Sequence, residues 1–166
     1  RGLELAIKTD PVESLCFSLD GKRLAAGTGN KVYVFDLPAG QMQTTLSQGA
    51  RAIVFSVDGR FLAGANSSGV TTVWETESWK TAAQFKETAA AGIWSLAFSP
   101  DGGALAAGCN DKVVRIYDIA TRQPRSVLKG HTSSVFAVAF APDGKTLASA
   151  GNDGYCKLWG NAGSVT

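Results

Sequence analysis

Two landmarks recur along this chain in step, at a period of about forty residues, and nothing else restricts its fold as strongly. The first is a five-residue turn: FSLDG at 17–21, FSVDG at 55–59, FSPDG at 98–102 and FAPDG at 140–144. Its aspartates, Asp20, Asp58, Asp101 and Asp143, are 38, 43 and 42 residues apart. The second is an aromatic residue closing an apolar run: Phe35, Trp74, Tyr117 and Trp159, spaced by 39, 43 and 42 residues. Two independent landmarks with one period define four units, about 3–36, 41–75, 79–118 and 122–160, within one repeat domain spanning 1–166.

Each unit reads as short strands joined by turns. In the third, IWSLAF at 93–98 is followed by Pro100-Asp101-Gly102, where Pro sets φ, Asp bonds the backbone ahead and Gly accepts φ > 0. A small-residue strand, a hairpin at Asn110-Asp111 and the β-branched run VVRIY at 113–117 come next. No segment keeps a 3.6-residue apolar period, so no helix is expected. The expected class is all-β. Antiparallel sheets of this kind have two faces to bury, and stacking them around an axis buries both. The alanines and glycines of 24–27, 62–65, 105–108 and 147–150 suit close packing between neighbouring sheets.

Composition narrows the function. Apolar residues are 45% and charged residues 18%, so a packed core is expected rather than disorder. Sixteen basic against 14 acidic residues leave a net charge of +2, too neutral to point to nucleic acid or an anionic membrane. No apolar run reaches the ~18 residues of a membrane span. Charged Glu4, Lys8 and Asp10 stand where a signal peptide would be apolar. Position 1 is not Met, which reads as a fragment, a processed product or an engineered piece. Cys16, Cys109 and Cys156 are odd in number and lack CxxC spacing, so neither a disulfide framework nor a zinc site is expected, and a cytoplasmic setting fits.

The pattern resembles the WD-repeat (WD40) β-propeller family over almost the whole chain. The last unit carries it best: Gly130-His131, then VFAVAFAPDG, LASAGNDG and KLW ending at Trp159. The resemblance implies a buried hydrogen-bonded network of His131, Ser149, Asp153 and Trp159 within one blade. The other units have Asp10-Pro11, Gly49-Ala50 and Ala90-Ala91-Gly92 in place of Gly-His, and Ala26, Gly64 and Ala107 in place of the serine. Blades one to three are therefore expected to rest on apolar packing alone.

Other chemistry is weaker. His131 with Ser149 and Asp153 has the composition of a hydrolase trio, but no nucleophile elbow accompanies it. The repeated aspartates lack the dense D-x-D-x-D spacing of a calcium loop. No GxGxxG or GxxxxGK[ST] is present. Neither metal nor cofactor is expected.

The resemblance implies a non-catalytic scaffold that binds a protein or peptide at its loops and channel mouth. Trp94 aligns with Phe136 at the entrance of the innermost strand, and Glu13 and Arg51 are their equivalents. Arg and aromatics dominate interface energetics, so Arg51, Trp94, Phe136 and the hairpin-tip Asn110 and Asn152 are the candidate binding residues. Trp79, in ESWK, is expected to be exposed and outside this site. The alternatives are a propeller enzyme such as a lactonase-like hydrolase, or a structural segment of a larger regulatory protein. Finally, ELAI at 4–7 reads as an outer strand with no earlier blade to complete, and the last unit lacks one. Four blades form half a ring, so the expectation is a homodimer closing an eight-bladed ring, with a missing half supplied by another chain, or a piece of a longer propeller, as the alternatives.

Overall fold

Alternating side chains and tight turns build fifteen strands, and no helix, among residues 4–7, 10–87 and 91–160, which the computed structural model describes. Within each of four sheets, consecutive strands pair antiparallel. Sheet one holds β1 (Val12–Phe17), β2 (Arg23–Thr28), β3 (Val32–Asp36) and β4 (Gln41–Leu46). Sheet two holds β5 (Ala52–Phe55), β6 (Phe61–Ala65), β7 (Val70–Glu75) and β8 (Thr81–Lys86). Sheet three holds β9 (Ile93–Phe98), β10 (Ala104–Cys109), β11 (Val113–Asp118) and β12 (Gln123–Lys129). Sheet four has three strands, β13 (Val135–Phe140), β14 (Thr146–Gly151) and β15 (Cys156–Gly160). The first strands lie side by side, β1 on β5, β5 on β9 and β9 on β13, so the sheets stand in a row around their inner edges.

The repeated turns do what their residues dictate. The first oxygen of Asp20, Asp58 and Asp101 accepts from the backbone N–H two residues on, each at 3.0 Å. It also accepts from the hydroxyl of Ser18, Ser56 or Ser99, at 2.6, 2.6 and 2.5 Å. Asp143 keeps the backbone bond, from Lys145 at 2.9 Å, with Ala141 in place of the serine. Gly21, Gly59, Gly102 and Gly144 follow with φ of 69–73°, where a Cβ would be strained.

Register explains the core. Across each sheet one row of two aromatic residues flanking a leucine and one row of smaller or aliphatic residues lie on opposite faces. The large rows are Phe17-Leu24-Phe35, Phe55-Leu62-Trp74, Phe98-Leu105-Tyr117 and Phe140-Leu147-Trp159. The small rows are Cys16-Ala25-Val34, Val54-Ala63-Val73, Ala97-Ala106-Ile116 and Ala139-Ala148-Leu158. At each of the three junctions the small row of one sheet packs on the large row of the next. Leu62, Leu105 and Leu147 are fully buried there, each contributing about 2 kcal/mol.

Residues 4–7 depart from expectation: they are not a strand. Leu5 and Ile7 instead lie on sheet one, against Ala26, Tyr33 and Phe35. Their apolar side chains thereby cover part of that face of sheet one.

Candidate functional site

The starts of the inner strands bring four candidate residues together. Arg51, just before β5, lays its guanidinium 3.4 Å from the centroid of the Trp94 ring. Phe136 meets the same ring edge-on, with centroids 5.2 Å apart and planes at 74°. Both contacts suit the ring quadrupole, whose face attracts a cation and another ring's edge. The Trp94 indole N–H donates to Asn110 Oδ1 at 3.4 Å. The Ser134 hydroxyl, at the start of the next sheet, donates to that oxygen at 2.9 Å. Trp94 is therefore held on three sides and half-buried, while Arg51, Asn110 and Phe136 are exposed. A cleft of about 680 Å³ opens beside it, lined by Glu13, Arg51, Ser67 and Trp94. Asn152 stands outside the cluster; its amide donates to Ser133 Oγ at 3.3 Å.

Trp79 is not exposed as expected. It packs half-buried against the core between sheets one and two, with Arg23 over its ring at 5.6 Å. A second cleft, of about 410 Å³, opens at the other end of the inner strands between Asp20, Arg23, Asp58 and Thr76. Several of its polar groups are already engaged: Arg23 donates to Thr76 O at 3.3 Å, Asp20 accepts from Ser18, and Asp58 pairs with Arg60.

The last sheet contains the implied network. His131 Nδ1 is 2.9 Å from Asp153 Oδ2, and Nε2 is 2.8 Å from Ser149 Oγ. Trp159 Nε1 donates to the same hydroxyl at 2.8 Å. Asp153 only accepts, so Nδ1 carries the proton, Ser149 donates to Nε2, and every member is satisfied. Burial alone would raise the Asp153 carboxyl, but the Thr132 N–H, His131 and the Tyr155 N–H outweigh it and hold it below the usual carboxylate range. The His131 and Asp153 side chains are 1% and 3% exposed, which closes the trio to substrate. Gly151, which the sequence reading did not single out, makes room: a Cβ there would sit 2.8 Å from His131 Nδ1 and 3.0 Å from Asp153 Oδ1.

The family model described as WD domain, G-beta repeat matches residues 4–36, 79–118 and 122–160, together more than half of the chain. The chain belongs to the WD40 family. Its sheets are WD-type blades. It is similar to the general transcriptional corepressor TUP1 of Saccharomyces cerevisiae, 43% identical over 44 residues, 26% of this chain and 6% of that protein. It is also similar to the U3 small nucleolar RNA-associated protein 15 homolog of Xenopus tropicalis, 39% identical over 62 residues, 37% of this chain and 11% of that protein. The aligned stretches thus span a small part of either relative.

Within this WD40 frame, the expectation that blades without the histidine rest on apolar packing alone is wrong for blades two and three. The residue two past the last buried apolar side chain of each outer strand reaches into the next blade. In blade two it is Gln48, which donates to Gly64 O and Val70 O at 3.3 Å each and meets the Thr72 hydroxyl. In blade three it is Glu87, which accepts from Tyr117 Oη and from Arg115 Nε, both at 3.0 Å. Arg115 also clasps Asp111, the turn aspartate that a missing histidine would have left unpaired. Those bonds raise the Arg115 pKa against the opposing effect of burial. Burial, and then the Glu87 carboxylate, push the Tyr117 phenol up; burial pushes the nearby Cys109 thiol up to about 11. Looking for a histidine at its own alignment position hid these substitutes. The signal was a long polar residue, Gln48 or Glu87, two past the last buried apolar side chain of the preceding outer strand and ahead of the Gly-His position.

Proposed function

We propose that this chain is a non-catalytic interaction scaffold that takes a protein or peptide at the mouth built by Arg51, Trp94, Phe136 and Asn110. The observation that carries the reading is the guanidinium stacked 3.4 Å over a half-buried indole, beside an open cleft. An anchor already ordered loses little conformational freedom on binding, and Arg and Trp are the residue types that dominate interfaces. Asn152, on the neighbouring hairpin tip, would touch a longer ligand. The names of the relatives, a transcriptional corepressor and an RNA-associated protein, fit a scaffold. The hydrolase alternative loses ground, because both His131 nitrogens and the Ser149 hydroxyl are committed inside blade four.

The scaffold reading includes association with itself: two copies would close a homodimer of eight blades, because the chain exposes both halves of a blade junction. A reducing, cytoplasmic setting goes with it, given three free thiols.

The test is selection of peptides on the pure chain from a displayed random library, then affinity measurement on variants. Trp94→Ala and Arg51→Ala should each weaken binding at least about tenfold. Val57→Ala, at the opposite rim, should leave it unchanged. Equal affinity in the first two variants would move the site elsewhere.

A further inference from the structure

Resting on the binding mouth read above, we infer that its cleft takes a peptide by a matched pair of charges: an Asp or Glu side chain on Arg51, and a nearby Lys or Arg side chain of the same peptide on Glu13. The cleft has four lining residues, Glu13, Arg51, Ser67 and Trp94. Glu13 lies in β1, Arg51 just before β5, Ser67 between β6 and β7, and Trp94 in β9, so the packing of three blades builds it. Two of its charges are unspent. Arg51 and Glu13 are both exposed, and among the described residues neither side chain has an ion pair or a hydrogen bond. The groups beside them are engaged: Asn110 Oδ1 accepts from the Trp94 indole N–H and from the Ser134 hydroxyl, and Phe136 packs on the Trp94 ring.

Arg51 is set up for a carboxylate. A guanidinium is a planar fork whose N–H donors all lie in its plane. The indole, 3.4 Å away, covers one face of that plane without using a single donor. The stack holds the fork in place and leaves its edge for the two oxygens of one carboxylate. The Ser67 hydroxyl, exposed on the same rim, is a further donor. Glu13 then selects the kind of anion. Its carboxylate makes the cleft a pair of opposite charges rather than a basic pocket. A phosphate group, carrying close to two negative charges, is drawn to Arg51 but set against Glu13. A singly charged side chain is repelled less, and a neighbouring Lys or Arg turns that repulsion into attraction. Glu13 is also open to such a cation: its Oε1 lies over Gly29, 3.4 Å from where a Cβ would stand, so no side chain of residue 29 screens it. The cleft volume of about 680 Å³ is within the roughly 300–1,000 Å³ of ordinary ligand sites. Trp94 and Phe136 supply the apolar contact, and the two charges set the sequence that binds.

Peptides selected on the pure chain should carry an acidic and a basic residue close together. With one such peptide, Arg51→Gln and Glu13→Gln should each weaken binding about tenfold, at an unchanged circular dichroism spectrum. Pairing is the decisive measurement. Against the same peptide with its acidic residue replaced by the amide, Arg51→Gln should cost less than about twofold. Against the peptide with its basic residue replaced by Met, Glu13→Gln should likewise cost less than about twofold. Losses that add in either pair overturn the matched charges, and if Trp94→Ala still weakens binding the mouth stands as the site. Phosphoserine in place of the acidic residue should bind no tighter; tighter binding overturns the choice of a carboxylate. A Trp94→Ala variant that binds as the parent chain does, or a selection that yields no peptide, overturns both readings.

Discussion

Arg115 clasps Asp111 through two hydrogen bonds, 2.8 Å from Nη1 and 2.6 Å from Nη2, in the register position that Lys157 holds in the last blade. There the equivalent turn aspartate, Asp153, is held by His131 instead. Two blades of one chain thus answer the same problem, a carboxylate at a hairpin turn, with different cations or donors.

Arg115→Met would take both side-chain donors from Asp111 and leave Glu87 only the Tyr117 hydroxyl. We expect a loss of about 1–3 kcal/mol, read as a lower urea midpoint at constant slope. Arg115→Lys should recover only part of it, since an ammonium cannot make the two-pronged contact. A midpoint equal to that of the parent chain would mean the pair contributes nothing.

In blade four, His131→Ala should cost about 1–3 kcal/mol by leaving Ser149 and Asp153 without a shared partner. Gly151→Ala should do similar damage from the other side, because its Cβ would meet His131 Nδ1 at 2.8 Å. The double variant should be no worse than about either one, since both break one network. Additive losses in melting temperature would refute a single network.

Acid should unfold the chain along a definite direction. The hydroxyls of Ser18 and Ser99 and the following backbone N–H groups hold Asp20 and Asp101 below the ordinary carboxylate range. Depressed folded values mean that their stabilisation is full above the unfolded pKa of about 3.9 and is lost as pH falls through the folded values. The melting temperature should therefore stay flat down to about pH 5 and drop below pH 4. Ser99→Ala should make that acid limb shallower; a limb unchanged in slope would show that the turn serine does not set it.

Trp79 separates packing from binding. Because it fills the junction between blades one and two beneath Arg23, Trp79→Ala should lower the melting temperature by several degrees, about 1–3 kcal/mol. Peptides selected at the mouth should bind it as tightly as the parent chain. Weakened binding at a temperature where the variant is fully folded would put Trp79 in the site after all.

Much of this molecule is written locally. The four turns, the alternation of the strands and the Asp–Gly chemistry at Asp20, Asp58, Asp101 and Asp143 act over five or six residues, so a linear reading finds them. That Arg51, Trp94 and Phe136 lie together was legible for the same reason: equal position in equal repeats places them side by side. The His131 network was visible because its four residue types sit at recognisable places in one unit. What tertiary structure alone decided is which side chains meet across blades. Gln48 and Glu87 reach forward into blades two and three only once inner strands dock side by side, and Trp79 is covered only because Arg23 arrives from the blade before. The place of residues 4–7 is of the same kind. Their alternation is that of an outer strand, but among the described residues they pair with no strand, and Leu5 and Ile7 lie on the apolar face of sheet one instead.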